Sequence, residues 1–217
     1  MQRMKRNLNN FYFLKMFDFK SDGLESQYPI PLILSNLGIV PSILDGRVLD
    51  IGCGKDARLV YFLKRYGIFA EGIDPEVNKD TSFLMKANAE SIPRPDCTYD
   101  RVFSHYAHFK DGMDANREVV IRLIGEDRFQ ITQGQYVKTM IDTTEEAIRV
   151  LKPGKDFVIW PMPRYFIDMN WRYFDQNQIE VRHEKVKNSL FKVDHILLKI
   201  DLPLEEFYYR TVLTKPK

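Results

Sequence analysis

Cysteine is scarce in this chain of 217 residues, which carries only Cys53 and Cys97. Two thiols cannot build a disulfide framework, and their spacing matches no metal-ligand pattern, so both are expected to be reduced and no metal centre is expected. Long apolar runs are also missing. No window reaches the roughly 18 apolar residues of a membrane-spanning helix. The basic start Met1–Arg6 leads into a stretch broken by Lys15, Asp18, Lys20 and Asp22, unlike the clean apolar core of a signal peptide. These absences lead to the expectation of a cytoplasmic protein without a membrane span. Nor does one sign of charge dominate: 32 Lys+Arg against 30 Asp+Glu leave a net +2. Global charge therefore recruits no polyanion, and nucleic acid is not the expected partner.

What is present is an ordinary globular composition, 44% hydrophobic and 29% charged, on a chain long enough for one substantial core. One domain over residues 1–217 is expected. Residues 1–45 read as an N-terminal helical cap, with Phe11, Phe13, Leu14 and Phe17 on one stripe. Strand and helix then alternate. Strands are expected at Val48–Ile51, Phe69–Ile73, Phe83–Ala87, Tyr99–Ser104 and Phe157–Trp160, the last apolar throughout and therefore central. A helix over Ala57–Tyr66 has Asp56 as its expected N-cap. A second, over Thr143–Leu151, is opened by Thr143-Thr144-Glu145-Glu146 and stopped by Lys152-Pro153-Gly154. Segments near 178–186, 191–200 and 206–213 can supply the remaining strands. The alternation predicts an α/β, doubly wound, mostly parallel sheet with helices on both faces.

Within that frame, Val48-Leu49-Asp50-Ile51-Gly52-Cys53-Gly54 is a buried strand ending in two glycines one residue apart, and Ile73-Asp74-Pro75 follows twenty residues later. Glycine lets the backbone turn sharply and approach a ligand closely. Gly52-Cys53-Gly54-Lys55-Asp56-Ala57 satisfies the dinucleotide fingerprint, with Asp74 where a ribose-binding acid belongs. Taken alone it fits a nicotinamide-dependent oxidoreductase as well as any other nucleotide-cofactor protein.

Further motifs stand in order behind it: Gly72-Ile73-Asp74-Pro75, Asn88-Ala89-Glu90-Ser91-Ile92-Pro93-Arg94-Pro95-Asp96, Tyr99-Asp100-Arg101-Val102-Phe103-Ser104 and Arg149-Val150-Leu151-Lys152-Pro153-Gly154. With these, residues 45–160 resemble the class I S-adenosylmethionine-dependent methyltransferases of the type 11 kind. The resemblance implies a Rossmann-like seven-stranded sheet with an antiparallel C-terminal strand, a cofactor-binding core over 46–160 and C-terminal strands over 161–217. It implies S-adenosylmethionine as cofactor and S-adenosylhomocysteine as product. Asp50 with the Gly52, Cys53 and Gly54 backbone would face the methionine end, and Asp74 with Pro75 the ribose. Asn88, Ala89 and Glu90 would address the adenine, and Ser104 and His105 would lie nearest the methyl group. The chain departs from the family's G-x-G-x-G loop at Asp56 and from its usual aspartate at Asn88.

Methyl transfer chiefly requires alignment, and a hydroxyl or protonated amine acceptor also needs a base. His105 and His108 are the candidates, because histidine titrates near neutrality. Cys53, between two glycines, is expected to be packed, and Asp100 to order a turn. Residues 110–140 are expected to form a lid over a small-molecule acceptor, and the aromatic run after the fifth strand to line its pocket. A protein of the same fold that binds the cofactor without turnover is the alternative.

Overall fold

The computed structural model describes residues 29–105, 139–160, 162, 167–168, 170–186 and 209–217. The expected helical stripe near the N-terminus, His108, nearly all of the 110–140 segment and the 191–200 strand lie outside these residues.

The glycine-ended strand is β1, Arg47–Ile51. It runs parallel to β2, Phe69–Ile73, on one side and to β4, Tyr99–His105, on the other. Beyond β2 comes the short β3, Leu84–Met85. Beyond β4 comes β5, Leu151–Trp160, then β7, Tyr209–Thr214, and finally β6, Glu180–Lys185. The order is β3-β2-β1-β4-β5-β7-β6, with β7 antiparallel to both neighbours. This is the Rossmann-like doubly wound arrangement, in which the chain reverses direction across the sheet between β1 and β4. The expected fold class is found.

Both faces of the sheet are covered. Val48, Phe103, Val158 and Trp160 pack with Leu34 and Leu37 of α1 (Ile30–Leu37) and Leu59, Val60 and Leu63 of α2 (Arg58–Arg65). Leu49, Ile51, Val102 and Phe157 pack with Met140, Ala147 and Val150 of α3, helical over 139–150, and with Phe174 of α4 (Trp171–Gln176). Strand alternation therefore puts Asp50, Phe103 and His105 on the α1/α2 face.

Three local expectations are corrected. Asp56 does not cap α2: the N-cap is Ala57, left-handed at φ 46°, without a side-chain cap, while Asp56 is exposed. The helix is instead defined at its far end. There the Gly67 and Ile68 amides donate to the Lys64 and Leu63 carbonyls around a left-handed Gly67, and Lys64 and Arg65 complement the helix dipole. Substituting Asp56 with Ala should shift unfolding by less than about 0.5 kcal/mol, where loss of a true cap costs about 1 kcal/mol; urea denaturation measures the difference.

The second correction concerns α3, which is already helical at 139, so Thr143 and Thr144 lie inside it and do not open it. Both are buried, and the Thr144 hydroxyl bonds back to the Met140 carbonyl at 2.7 Å. Third, Lys152-Pro153-Gly154 lies within β5. Leu151 pairs with Tyr99 and Asp156 with Arg101, so the intervening residues bulge out of the ladder, with Gly154 at φ 68°.

Edge strand β3 is shorter than expected. Its outward groups are already used, since Leu84 N–H donates to Thr81 Oγ1 and Leu84 O accepts from Thr81 N–H, both at 2.9 Å. Satisfying an edge in this way closes it to another strand.

Candidate functional site

In a doubly wound sheet the ligand crevice lies beyond the carboxyl ends of the strands, where the strand order reverses. Here that place is bounded by the loops after β1 and β2 and by the end of β4. The loop after β1 folds over β2, with the Gly52 and Cys53 amides donating to the Ile73 carbonyl at 2.8 and 3.2 Å. Gly52 and Gly54 both sit at φ 72°, a conformation that costs residues with a Cβ. Among the described residues no atom lies within 4 Å of where a Cβ on Gly54 would stand, so this backbone faces open space.

Asp74, at the end of β2, holds the loop in place. Its carboxylate accepts from Gly54 N–H at 2.9 Å and from Glu76 N–H at 2.8 Å. Pro75 stands between the two acids in that turn. The Cys53 thiol packs inward: a Cβ on Gly72 would fall 2.8 Å from its Sγ. Burial and then the carboxylates of Asp50 and Asp74 push this thiol up, so it is inert as a nucleophile.

Asp50 differs from its neighbours. It is only 4% exposed, and its carboxyl group makes no hydrogen bond among the described residues. Burial first, and the nearby Asp74 carboxylate second, push its carboxyl up to about 8. A buried acid with no protein partner beside a second acid is costly. The arrangement suits a ligand that brings positive charge.

Asn88, Ala89 and Glu90 form the turn after β3, closed by Ser91 N–H donating to the Asn88 carbonyl at 3.2 Å. The Asn88 and Glu90 side chains are exposed, and Ala89 packs on the core. What holds the following segment was not foreseen. Arg149 of α3 donates to the carbonyls of Ile92 and Arg94, both at 2.9 Å, and to Asp96 at 2.7 Å. Glu146 accepts from Ile92 N–H at 2.8 Å and from Arg149. The one available signal was the i, i+3 acid–base spacing of Glu146 and Arg149, the latter opening the Arg149–Gly154 motif.

Ser104 is fully buried at the end of β4. His105, beside it, meets Asn36 of α1, with Nδ2 and Nε2 3.2 Å apart, and stacks on Trp160 at 5.0 Å between ring centres. Burial pushes this imidazole down to about 3. This direction runs against a histidine that titrates near neutrality, because burial disfavours the cation. Asp100 stands at the opposite end of β4, accepting from Arg47 N–H and the Lys152 ammonium, each at 2.9 Å, far from the crevice loops. Among the described residues no three His, Cys, Asp or Glu side chains cluster as metal ligands, and no helix is long and apolar enough to cross a membrane.

No protein-family model matches the chain, and no curated protein does. Solved structures of similar shape exist. One is a putative methyltransferase of Haloferax volcanii in complex with the Trm112 methyltransferase activator, at 17% identity and TM-score 0.47, covering 84% of this chain and 88% of that one. Another is a Thermotoga maritima S-adenosylmethionine-dependent methyltransferase described as a possible histamine N-methyltransferase, at 16% identity and TM-score 0.45, covering 85% and 88%. A third is the [4+2]-cyclase SpnF, at 15% and 0.46, covering 86% and 80%. At such distances the fold assignment rests on the strand order itself.

Proposed function

We propose that the chain binds S-adenosylmethionine and transfers its methyl group to a small-molecule acceptor. The observation that carries this reading is Asp50, a buried carboxyl group without a hydrogen-bond partner among the described residues, set near Asp74 under the loop that opens at Gly54. A nicotinamide dinucleotide would bring a pyrophosphate to this loop, against Asp50, Asp74 and the exposed Asp56. A ligand carrying an ammonium and a sulfonium meets the same acids favourably.

In this reading S-adenosylmethionine supplies an electrophilic methyl group on sulfur. Asp50 would give up its proton and face the ligand's ammonium. Asp74, oriented by the Gly54 and Glu76 amides, retains lone pairs for the ribose hydroxyls. Asn88, Ala89 and Glu90 would border the adenine, held by the Arg149–Glu146 clamp one turn further on. Ser104 and His105 would flank the methyl group. Orientation in a dry pocket is the chief catalytic resource, worth on the order of 7 kcal/mol or more. The neutral His105 also gives weight to a second reading, a protein that binds the cofactor without turnover.

Calorimetric titration with S-adenosylmethionine, S-adenosylhomocysteine and a nicotinamide dinucleotide separates these readings. The first two are expected to bind and the third to give no heat. Tighter binding of the dinucleotide would overturn the proposal. Release of S-adenosylhomocysteine with any member of a panel of small-molecule acceptors distinguishes catalysis from binding alone.

A further inference from the structure

The turn Asn88–Glu90 is strung between two fixed points of unequal strength. On one side is the edge strand β3, which has two residues, Leu84–Met85. On the other is Ile92, 3% exposed and gripped at both of its backbone polar groups: its N–H donates to Glu146 Oε2 at 2.8 Å and its carbonyl accepts from Arg149 Nη2 at 2.9 Å. All five guanidinium hydrogens of Arg149 are engaged. Nε and Nη2 donate to the two oxygens of Glu146 at 2.7 and 2.8 Å, Nη2 donates also to Ile92, and Nη1 donates to the Arg94 carbonyl at 2.9 Å and to Asp96 at 2.7 Å. Two of these bonds stay within helix α3 and three cross to the 92–96 segment. Because the fork is planar and rigid, it fixes that segment against the helix as a lysine could not. Between the fixed points Ser91 N–H closes the turn on the Asn88 carbonyl at 3.2 Å. Among the described residues the Ala89 and Glu90 amides have no hydrogen-bond partner.

We propose that Arg149 and Glu146 are positioning residues that make the base selectivity of the cofactor site depend on helix α3: by holding Ile92 they aim the Ala89 and Glu90 amides at an acceptor on the base edge. The inference rests on the methyl-transfer reading, which sets this turn beside the adenine. A backbone N–H can only donate, and adenine offers a bare N1 where a 6-oxopurine carries a hydrogen. A turn held in place therefore rejects the second base, and a loosened turn rejects it less. Arg149 and Glu146 act through the turn and not on the ligand. A clamp that served folding alone would change how much protein is folded and leave the ratio of two ligands' affinities for the folded protein as it was.

The test is calorimetric titration of the full chain with S-adenosylhomocysteine and with S-inosylhomocysteine, its 6-oxopurine counterpart, in wild type, Arg149→Lys and Glu146→Ala. Wild type is expected to prefer the adenine ligand by roughly tenfold or more. In both variants that preference should shrink by at least about threefold, since lysine has no planar fork and alanine leaves the Ile92 N–H without its acceptor. Glu146→Gln, which keeps an oxygen for that N–H, should recover part of it. If no variant folds, hydrogen exchange in wild type decides: the Ala89 and Glu90 amides are expected to gain protection from S-adenosylhomocysteine and not from S-inosylhomocysteine, and two amides left unprotected by both would overturn the proposal. Equal affinity of wild type for the two ligands, or an unchanged preference in folded Arg149→Lys and Glu146→Ala, would overturn it and leave the methyl-transfer reading standing. Failure of wild type to bind S-adenosylhomocysteine at all would remove both.

Discussion

Asp50→Asn is expected to make the ligand-free protein more stable at pH 8 while weakening S-adenosylmethionine binding about 10- to 100-fold, the range for losing a hydrogen bond to a charged group. The stability change follows from proton linkage. The Asp50 carboxyl is held at about 8 in the folded protein and returns to about 3.9 when the chain unfolds. Between those values the folded state holds one proton more than the unfolded state, so rising pH destabilises it by about 1.4 kcal/mol per unit. Below about pH 4 the group contributes no penalty, and above pH 8 the penalty is complete. Asparagine removes that slope. The stability gap between variant and wild type should therefore be small near pH 4 and reach several kcal/mol by pH 8, read from urea midpoints across the range. A substitution that stabilises the apo fold yet weakens the ligand marks a residue kept for binding and not for folding. A gap independent of pH would contradict this account of Asp50.

Glu71→Ala is expected to cost about 2–4 kcal/mol, lowering the melting temperature by roughly 10 °C in a chain of this size. Glu71 lies on β2 at 2% exposure and accepts from Arg47 at 2.6 Å, Arg94 at 2.7 Å and the Tyr99 hydroxyl at 2.9 Å. The two arginine side chains are 44% and 25% exposed and can turn to water when the acid is gone. Tyr99 is fully buried and cannot, so the cost comes from its orphaned hydroxyl and the cavity left behind. Adding Tyr99→Phe to Glu71→Ala should then recover about 1 kcal/mol or more. Burial raises the Glu71 carboxyl, but the bonds from Arg47, Arg94 and Tyr99 outweigh it and hold the group below its usual value. Its stabilisation is accordingly present above about pH 4.3 and fades as pH falls through the lowered folded value. The deficit of Glu71→Ala should shrink in acid. A constant deficit would place its origin in the cavity alone.

The sheet and the loop around Gly52 and Gly54 were legible because both are written locally. Four apolar or strand-compatible residues ending in two glycines leave the backbone little choice, and the carboxylate of Asp74 follows at a spacing set by one helix and one strand. Asp56 and Ala57 were misread because an acid before a helix is a good cap only if the chain enters the helix through it. Here the left-handed turn falls one residue later. Thr143 and Thr144 misled for a related reason, since a threonine hydroxyl can cap a helix start or bond back within a helix, and Met140 decides which. The contacts that no local pattern carries are those set by register. Glu71 meets Arg47 only because β1 and β2 pair Arg47 with Phe69, and Asn36 meets His105 only because α1 packs on the end of β4. The approach of Asp50 to Asp74 is of the same kind, and the charge preference proposed for this crevice rests on it.

Calorimetry of S-adenosylmethionine binding at pH 7 in two buffers of different ionisation enthalpy tests that preference most directly. If Asp50 is protonated in the free protein and ionised against the bound ammonium, wild type should release close to one proton per ligand, and Asp50→Asn should bind more weakly and release almost none. Binding to wild type without proton release, or equal affinity and equal release in the variant, would contradict the assignment of this crevice to a cationic cofactor.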